Sequence, residues 1–269
     1  METPKLTIDR IRKYLSEDKR FDGRKLGELR EIVIETGISK KAEGSVRVRL
    51  GKTEVLVGVK LDVTVPYPDG QDEGVLMTTA ELLPLSSERF EAGPPKIEAI
   101  ELGRIIDRGV RESGFIDFKK LCIKEGEKVW IVYLDIYSIN DDGNLLDASA
   151  IGALAALKNA KMPKYDSEKG KVIYGEWTNN KLPLVDEKMA INVTAHKIGN
   201  KIILDPCREE EDASETRVSM GIGLGKDGFM INSMQKGNYG TISIEELERI
   251  LELAGSQAKD IKSKIDKVK

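Results

Sequence analysis

Three arginines at helical spacing are the first residues of this chain whose arrangement suggests chemistry. Arg104, Arg108 and Arg111 are separated by four and then three residues, so a helix would carry them on one face. Guanidinium groups spaced in this way suit the phosphates of a single nucleic-acid strand, because each can donate two parallel hydrogen bonds. The alternative is a solvated face on which acidic neighbours pair with the arginines, and spacing alone favours it. Those neighbours are Glu101, Asp107 and Glu112.

A run of four carboxylates at residues 209–212 is the second candidate. These side chains would hold a metal ion only if they converged, and adjacent carboxylates rarely do so without alternation or a turn. A solvated acidic loop between strands is the favoured interpretation, and we expect neither a metal nor a cofactor. The glycine-rich stretch 221–225 lacks the spacing and the following helix of a nucleotide-binding loop, so it predicts a β-hairpin.

The net charge of −3 over 269 residues limits how nucleic acid could bind. An RNA ligand would need a local basic patch, or a partner that supplies most of the positive charge. The two cysteines, Cys122 and Cys207, make no disulfide framework, which indicates a reducing compartment. No apolar run reaches the roughly 20 residues that span a bilayer, and no signal peptide is evident. We therefore expect a cytoplasmic protein without a membrane segment. The single histidine, His196, leaves little room for histidine-based catalysis.

Apolar periodicity predicts a β-meander followed by the helix that would carry the arginines. Strands are expected at residues 32–34, 45–50, 54–59 and 74–85, with a tight turn at Gly51. Between 95 and 113 the period becomes helical, with one apolar face made of Ala99, Leu102, Gly103, Ile106 and Val110. Residues 129–137 are too apolar for a strand with a wet face and predict a central strand. The small residues of 148–160 predict a helix that packs closely on a sheet.

A second round of strands and a helix completes the chain. Strands are expected at residues 190–195, 201–204, 217–224 and 229–233, and the last helix begins at a capping box formed by Ser243 and Glu246. This order predicts an α+β fold with two similar halves, approximately 25–165 and 185–269, within a single unit spanning 1–269. No residue-level repeat supports the division into halves.

Residues 81–162 and the turn at 20–24 resemble the RNase PH family of phosphorolytic exoribonucleases. The segment reads ELLPLSSERF, then a Gly-Pro-Pro turn, a long helix, a buried strand and an Ala-rich helix, and the turn reads RFDGR. The likeness covers nearly the whole chain and is greatest to the non-catalytic RNase PH-like subunits of the archaeal exosome. It implies that each strand-strand-helix half is similar to a ribosomal protein S5 domain 2-like unit.

The resemblance also implies that the catalytic groups are lost. Catalytic members carry a phosphate pocket resembling Gly-Thr-Arg-Thr at the start of the Ala-rich helix, and here Leu145 takes the arginine position while Asp147 would repel phosphate. Arg217 stands where the family's catalytic aspartate is expected, and a guanidinium serves neither as a base nor as a metal ligand. Asp205 is retained, and Glu215 is the fallback carboxylate. We therefore expect no catalytic residue in this chain.

What the resemblance implies is a subunit of a larger nuclease. The chain would alternate with a catalytic RNase PH-like subunit in a hexameric ring, structure its active site and help bind single-stranded RNA for degradation from the 3′ end. RNA-binding cap proteins would sit on one face of the ring. Arg104 and Arg108 fall where non-catalytic subunits contact RNA, Arg111 shares their face, and Arg89 corresponds to an arginine near the interface or RNA path. Two alternatives stay open: a self-sufficient phosphorolytic exoribonuclease, and an RNA-binding scaffold without a nuclease partner.

Overall fold

The computed structural model describes residues 3–225 and 228–268 and stacks them as sheet, helices, sheet and helix. The helices are α1 (Lys5–Ser16), α2 (Ile97–Ser113), α3 (Leu145–Asn159), α4 (Arg208–Asp212) and α5 (Ile244–Asp266). The strands are β1 (Ile32–Thr36), β2 (Gly44–Leu50), β3 (Thr53–Thr64), β4 (Val75–Leu82), β5 (Cys122–Lys124), β6 (Lys128–Asn140), β7 (Lys161–Asp166), β8 (Lys171–Lys181), β9 (Ala190–Ile198), β10 (Lys201–Leu204), β11 (Thr216–Gly225) and β12 (Gly228–Gly237). Within the described residues, no helix is long and apolar enough to cross a membrane.

The first sheet has the strand order β1-β2-β3-β6-β4, with β5 paired to β6. β1, β2 and β3 form the expected meander, and Gly51 takes the positive φ of 59° that its tight turn requires. Burial alternates along most of β3, because one face of this sheet is covered by helices. The strand expected at 129–137 is β6, and its position between β3 and β4 confirms that it is central.

The Ala-rich helix α3 packs closely against β2 and β3, because small side chains separate its backbone from the sheet. A Cβ atom at Gly152 would lie 2.6 Å from the Val57 Cγ2 atom, so a larger residue there would push the helix off the sheet. The helix begins at Leu145, three residues before the expected start. Asn144 precedes it with a left-handed φ of 56°, which turns the chain into the helix. This turn brings Leu145 to the end of the helix that faces the second half of the chain.

The second sheet, with the order β10-β9-β11-β12, lies between two layers of helix. Thr194 of β9 donates a hydrogen bond to Asp147 of α3 at 2.7 Å, whereas Lys197 of the same strand pairs with Glu246 of α5 at 2.7 Å. Thr194 and Lys197 differ by three positions, and side chains whose positions differ by an odd number point to opposite faces of a strand. Helices therefore cover both faces of β9. The glycine-rich stretch belongs to β11, which pairs with β12 as the predicted hairpin, and Lys226 and Asp227 lie outside the described residues.

Two expectations about local structure were wrong or incomplete. The acidic run 209–212 is not a solvated loop but most of the helix α4, and Glu210 within it is buried. The β7–β8 hairpin has no counterpart among the expected strands, because the side chains of β8 are mostly exposed and show no apolar alternation. The α+β class is confirmed, while the boundaries 25–165 and 185–269 stay a prediction.

One buried carboxylate ties the N-terminal segment to both halves of the chain. The side chain of Asp205 accepts hydrogen bonds from the Arg30 backbone N at 2.7 Å, from Arg30 Nη2 at 2.7 Å and from Arg24 Nη1 at 3.0 Å. Asn144 Nδ2, at the start of α3, donates to it at 2.9 Å. Burial acts to raise the pKa of Asp205, but the hydrogen bonds and charge of Arg30 outweigh it and lower that pKa below its ordinary value.

Replacing this carboxylate should destabilise the whole fold. We expect Asp205→Ala to lower the free energy of unfolding by about 3–5 kcal/mol, because it removes the buried carboxylate that two largely buried guanidinium groups share and leaves them only the more exposed Asp22 and Asp142. Urea denaturation followed by circular dichroism measures this loss. The control is Asp9→Ala, which removes an exposed pair with Arg12 and should cost less than about 1 kcal/mol. Equal losses in the two variants would contradict a special role for Asp205.

Candidate functional site

The helix α2 is held between the two sheets, so only one of its faces is open. Its predicted apolar face is buried, and the backbone at Gly103 approaches the Thr78 carbonyl of β4. At Gly109 an added Cβ would lie 2.6 Å from the Asn192 Oδ1 atom of β9. The three arginines of the sequence analysis lie on the opposite, exposed face of the helix, namely Arg104, Arg108 and Arg111.

The three arginines are not equivalent. Arg111 donates from Nε to Asp107 Oδ2 at 2.9 Å and from Nη2 to the Leu76 carbonyl at 3.0 Å. Within residues 3–225 and 228–268, neither Arg104 nor Arg108 has a hydrogen-bond or ion-pair partner. Their guanidinium groups are therefore available to a ligand, whereas that of Arg111 is already engaged.

The alternative of a solvated, internally paired face holds for only one of the three acidic neighbours. Asp107 pairs with Arg111, but Glu101 turns away and accepts a hydrogen bond from Arg217 Nη2 at 2.5 Å. Glu112 pairs with none of the arginines of α2 among the described residues. Two of the three acidic neighbours thus leave the arginines of this face unpaired, and one of them, Glu101, does so because it pairs with Arg217.

A cavity of about 720 Å³ lies beside the first half of α2 and is walled by both halves of the chain. Its lining includes Leu145 from the start of α3 and Arg217 from β11, the two positions at which the resemblance placed the phosphate and aspartate groups. Arg89 also lines it. The structure therefore brings together Leu145 and Arg217, which the sequence linked only through the resemblance.

Every basic side chain in the cavity is paired with a carboxylate. Arg217 pairs with Glu101 at 2.5 Å, Lys96 with Glu91 at 2.6 Å, Arg89 Nη1 donates to Asp212 Oδ1 at 2.6 Å, and Arg208 pairs with Asp141. Four basic and seven acidic side chains line the cavity, so its net charge is negative. A free phosphate ion would meet neutralised arginines and an excess of carboxylate, which opposes its binding.

The one histidine of the chain lies in the cavity wall and is neutral. His196 is 1% exposed, and its Nδ1 atom is 3.1 Å from the Ser214 hydroxyl. Burial, followed by the charge of Arg217, lowers the pKa of His196 to about 3. Near neutral pH the imidazole therefore holds no extra proton to donate to a leaving group.

The other carboxylates named from the sequence do not reach the cavity. Asp147 was expected to repel phosphate, which is wrong, because the first turn of α3 directs its side chain into the contact with β9. Asp205 is held by arginines in the core. Glu215 pairs with Arg12 of α1 at 3.2 Å. None of these three side chains lines the cavity.

Sequence reasoning missed the part of the cavity wall that α4 supplies. Arg208, Glu211 and Asp212 of this helix all line the cavity. A signal for the helix was present: Pro206 precedes it, and Glu210, three residues after Cys207, accepts a hydrogen bond from the Cys207 backbone N at 3.0 Å. Acidic residues in a first turn are typical of a helix start.

Comparison with known families explains the architecture. Residues 28–163 match the first domain of the 3′ exoribonuclease family, the RNase PH domain, and residues 188–257 match the second domain. The chain belongs to the RNase PH family. Both the six-stranded and the four-stranded sheet lie largely within the matched residues, which confirms the predicted RNase PH-type fold.

Relatives within the RNase PH family are similar over nearly their full length. The exosome complex component Rrp42 of Methanocella arvoryzae is 44% identical, and the match covers 96% of this chain and 95% of the relative. That of Thermococcus onnurineus is 45% identical, with 96% and 93% covered. A chain in the structure of an Archaeoglobus fulgidus exosome with RNA bound to the active site superposes with a TM-score of 0.85 at 40% identity, covering 96% of this chain and 97% of that one. A chain of an archaeal exosome core gives 0.83 at 38% identity, with 97% of each chain covered.

The buried Asp147 should make stability depend on pH. It accepts hydrogen bonds from the backbone N and hydroxyl of Thr194, and burial raises its pKa to about 6. The folded chain therefore binds this proton more tightly than the unfolded chain does. The associated stability is fully present below about pH 3.8 and is lost as pH rises through about 6, a difference of roughly 3 kcal/mol.

The variant Asp147→Asn should remove this dependence, because an amide cannot ionise and its oxygen can still accept from Thr194. We expect the free energy of unfolding of the variant, minus that of the natural chain, to rise between pH 4 and pH 7. Urea titrations at half-unit pH intervals measure the difference. A difference that stays constant over this range would contradict the raised pKa.

Proposed function

We propose that the chain is a non-catalytic subunit of an archaeal RNA exosome. It pairs with a catalytic RNase PH-like subunit in a hexameric ring, structures the active site of that subunit and helps bind the RNA that the subunit degrades by phosphorolysis from the 3′ end. The observation that carries the proposal is the cavity, in which Leu145 and a neutralised Arg217 lie together at the two positions where the resemblance expects the phosphate-binding arginine and the catalytic aspartate. The exosome relatives support the assembly.

Phosphorolysis requires donors that hold phosphate and a carboxylate near the scissile linkage that assists proton transfer. In the cavity the phosphate position is the apolar Leu145, and the carboxylate position is Arg217. Among the carboxylates that line the cavity, Glu101, Asp141 and Asp212 are paired with arginines, and burial raises the pKa of Glu211. The attack of phosphate on RNA is therefore assigned to the partner subunit, and no residue of this chain is given a catalytic role.

The RNA contact is assigned to the exposed face of α2. Arg104 and Arg108 lie one helical turn apart, about 6 Å, which is close to the spacing of successive phosphates in a strand. Arg111 shares the face but is held by Asp107, so its share in binding is smaller. Arg89 is held by Asp212 within the cavity, which favours a supporting role at the interface. We further propose that RNA-binding cap proteins contact the ring and that the assembly is cytoplasmic.

The first test separates a subunit from a self-sufficient nuclease. Purified chain, catalytic RNase PH-like partner and an equimolar mixture are each incubated with 5′-labelled single-stranded RNA, with and without inorganic phosphate. We expect no shortening by the chain alone and phosphate-dependent shortening by the mixture, faster than by the partner alone. Phosphate-dependent shortening by the chain alone would refute the assignment. A mixture no faster than the partner alone would favour a scaffold without a nuclease partner.

The second test asks which arginines hold RNA. The double variant Arg104→Ala, Arg108→Ala should weaken RNA binding by the mixed complex about 100-fold, because two charged hydrogen bonds are lost and each contributes on the order of 1.5 kcal/mol. The slope of log affinity against log salt should fall by about 1.4, since each phosphate contact in a single strand contributes about 0.7. Fluorescence anisotropy with a labelled oligonucleotide measures both quantities.

The matched control is Arg111→Ala on the same helix face. Its guanidinium is already bound by Asp107 and the Leu76 carbonyl, so we expect a nearly unchanged salt slope. If Arg111→Ala lowers the slope as much as the double variant does, the assignment of the RNA contact to Arg104 and Arg108 is wrong.

A further inference from the structure

One edge of the first sheet is open beside the end of the last helix. Among the strands that the structure describes, β2 is the only neighbour of β1. Gly51 donates its backbone N–H to the Glu31 carbonyl at 2.9 Å, and in an antiparallel pair every second residue of a strand bonds its neighbour. The odd-numbered residues of β1 therefore bond β2. The N–H and C=O groups of Ile32 and Ile34 point to the open edge, where no group of the described chain bonds them.

A groove of about 390 Å³ runs along this open edge, and its second wall is the end of α5. The side chains that line it are Ile32, Ile34 and Thr36 from β1, Lys264 from α5, and Lys267 and Val268 directly after that helix. Side chains at alternate positions of a strand share a face, so the residues that direct backbone groups to the open edge also line the groove. The groove thus combines apolar side chains, two lysines and backbone donors and acceptors.

The open edge lacks the usual protection of an edge strand. Natural proteins guard such edges with proline, with a β-bulge or with charged side chains that oppose the approach of another strand. β1 has the sequence IVIET, and its pairing with β2 keeps one register along the whole strand. Two isoleucines and a threonine are the side chains that it presents to the groove. An extended segment can therefore add to β1 as a further strand.

The two lysines of the groove select the charge of that segment. Lys264 and Lys267 are exposed, and neither pairs with a carboxylate in the part of the chain that the structure describes. Lysines at the end of a helix also favour the helix dipole, but these two line the groove, where their apolar stems extend its wall and their ammonium groups stay in water. An added strand would direct every second side chain toward this wall. Aspartate or glutamate at those positions would bind the lysines.

The backbone groups of the open edge favour a peptide over RNA as the ligand. The phosphate oxygens of RNA only accept hydrogen bonds, so they would leave the outward C=O groups of Ile32 and Ile34 without donors. The isoleucine side chains also offer nothing to a charged backbone. A peptide strand supplies N–H and C=O groups in alternation, together with side chains that cover the apolar wall.

We propose that the groove between β1 and the end of α5 binds an extended acidic segment of a separate partner protein, which adds to the first sheet as a strand beside β1. Its backbone bonds the outward N–H and C=O groups of Ile32 and Ile34. Its acidic side chains, at alternate positions, pair with Lys264 and Lys267. This inference uses neither α2 nor the cavity, so it does not depend on the proposed function.

The test is the binding of a fluorescein-labelled peptide of alternating glutamate and valine to the full chain, measured by fluorescence anisotropy. The peptide is about six residues long, the usual length of a strand. We expect the double variant Lys264→Glu, Lys267→Glu to weaken binding at least about ten-fold, because it replaces attraction by repulsion at two contacts. The matched control is Lys5→Glu, Lys259→Glu, which changes the net charge equally at two exposed sites outside the groove and should leave the affinity unchanged.

Methylation of the peptide backbone tests strand addition itself. One side of an added strand faces β1 and the other faces solvent, so N-methylation of one alternate set of amides should abolish binding. N-methylation of the other set should leave the affinity within about two-fold, because those amides bond no strand. The variant Ile34→Pro removes an outward N–H from β1 and should also weaken binding. Its fold, checked by circular dichroism melting, should persist because that N–H does not bond β2.

Four outcomes would overturn the inference. They are the absence of saturable binding to the natural chain, equal losses in the two lysine double variants, equal effects of the two methylated peptides, and displacement of the peptide by single-stranded RNA. The last of these would assign the lysines to nucleic acid. Binding by the free chain that disappears when the catalytic RNase PH-like subunit is added would show that a ring subunit covers the groove, and would overturn the assignment to a separate partner. Each outcome leaves the proposed function standing, because that function is measured by RNA shortening.

Discussion

The arrangement of the two halves depends on arginines of the N-terminal segment that reach buried carboxylates of the second half. Arg20 and Glu210 are both almost completely buried and are joined by two hydrogen bonds, and Arg30 binds Asp205 in the same way. A buried ion costs several kcal/mol unless an opposite charge and further hydrogen bonds satisfy it. Residues 205–212 therefore have one favourable position, against residues 20–30, and that position sets where α4 and the start of α3 meet.

The same constraint explains why a cavity forms where the two halves of the chain meet. Its walls are set by the contacts of Arg20 with Glu210 and of Arg30 with Asp205, and by the packing of α2 between two sheets. Neither arrangement depends on the side chains at positions 145 and 217. A guanidinium at 217 is accommodated because Glu101 of α2 turns inward to pair with it. That pairing removes from Arg104 the acidic neighbour three residues before it on the helix. The neutralisation of Arg217 inside the cavity and the absence of a paired Glu101 beside Arg104 are thus two results of one ion pair.

Elements whose burial is periodic could be predicted from the sequence, and those set by distant contacts could not. The strand expected at 201–204 coincides with β10, and the apolar face expected for α2 is the buried one. By contrast, the contact between Arg20 and Glu210 joins residues 190 positions apart, and no local pattern marks it. Spacing placed three arginines on one face, but the difference between Arg108 and Arg111 arises partly from a carbonyl of β4. Such a distinction depends on the tertiary fold.

The low positive charge of this chain favours an arrangement in which two subunits bind the same RNA strand together. The net charge is −3 and two arginines of α2 have no partner in the described chain, so the RNA contact proposed for this subunit amounts to about two phosphates, which corresponds to weak binding at physiological salt. Two weak contacts become effective when a second subunit holds the same strand, because the local concentration of RNA then rises to the millimolar range. A subunit that bound RNA tightly by itself would slow the advance of the strand after each cleavage. Weak contacts beside a stronger site instead guide the strand and release it.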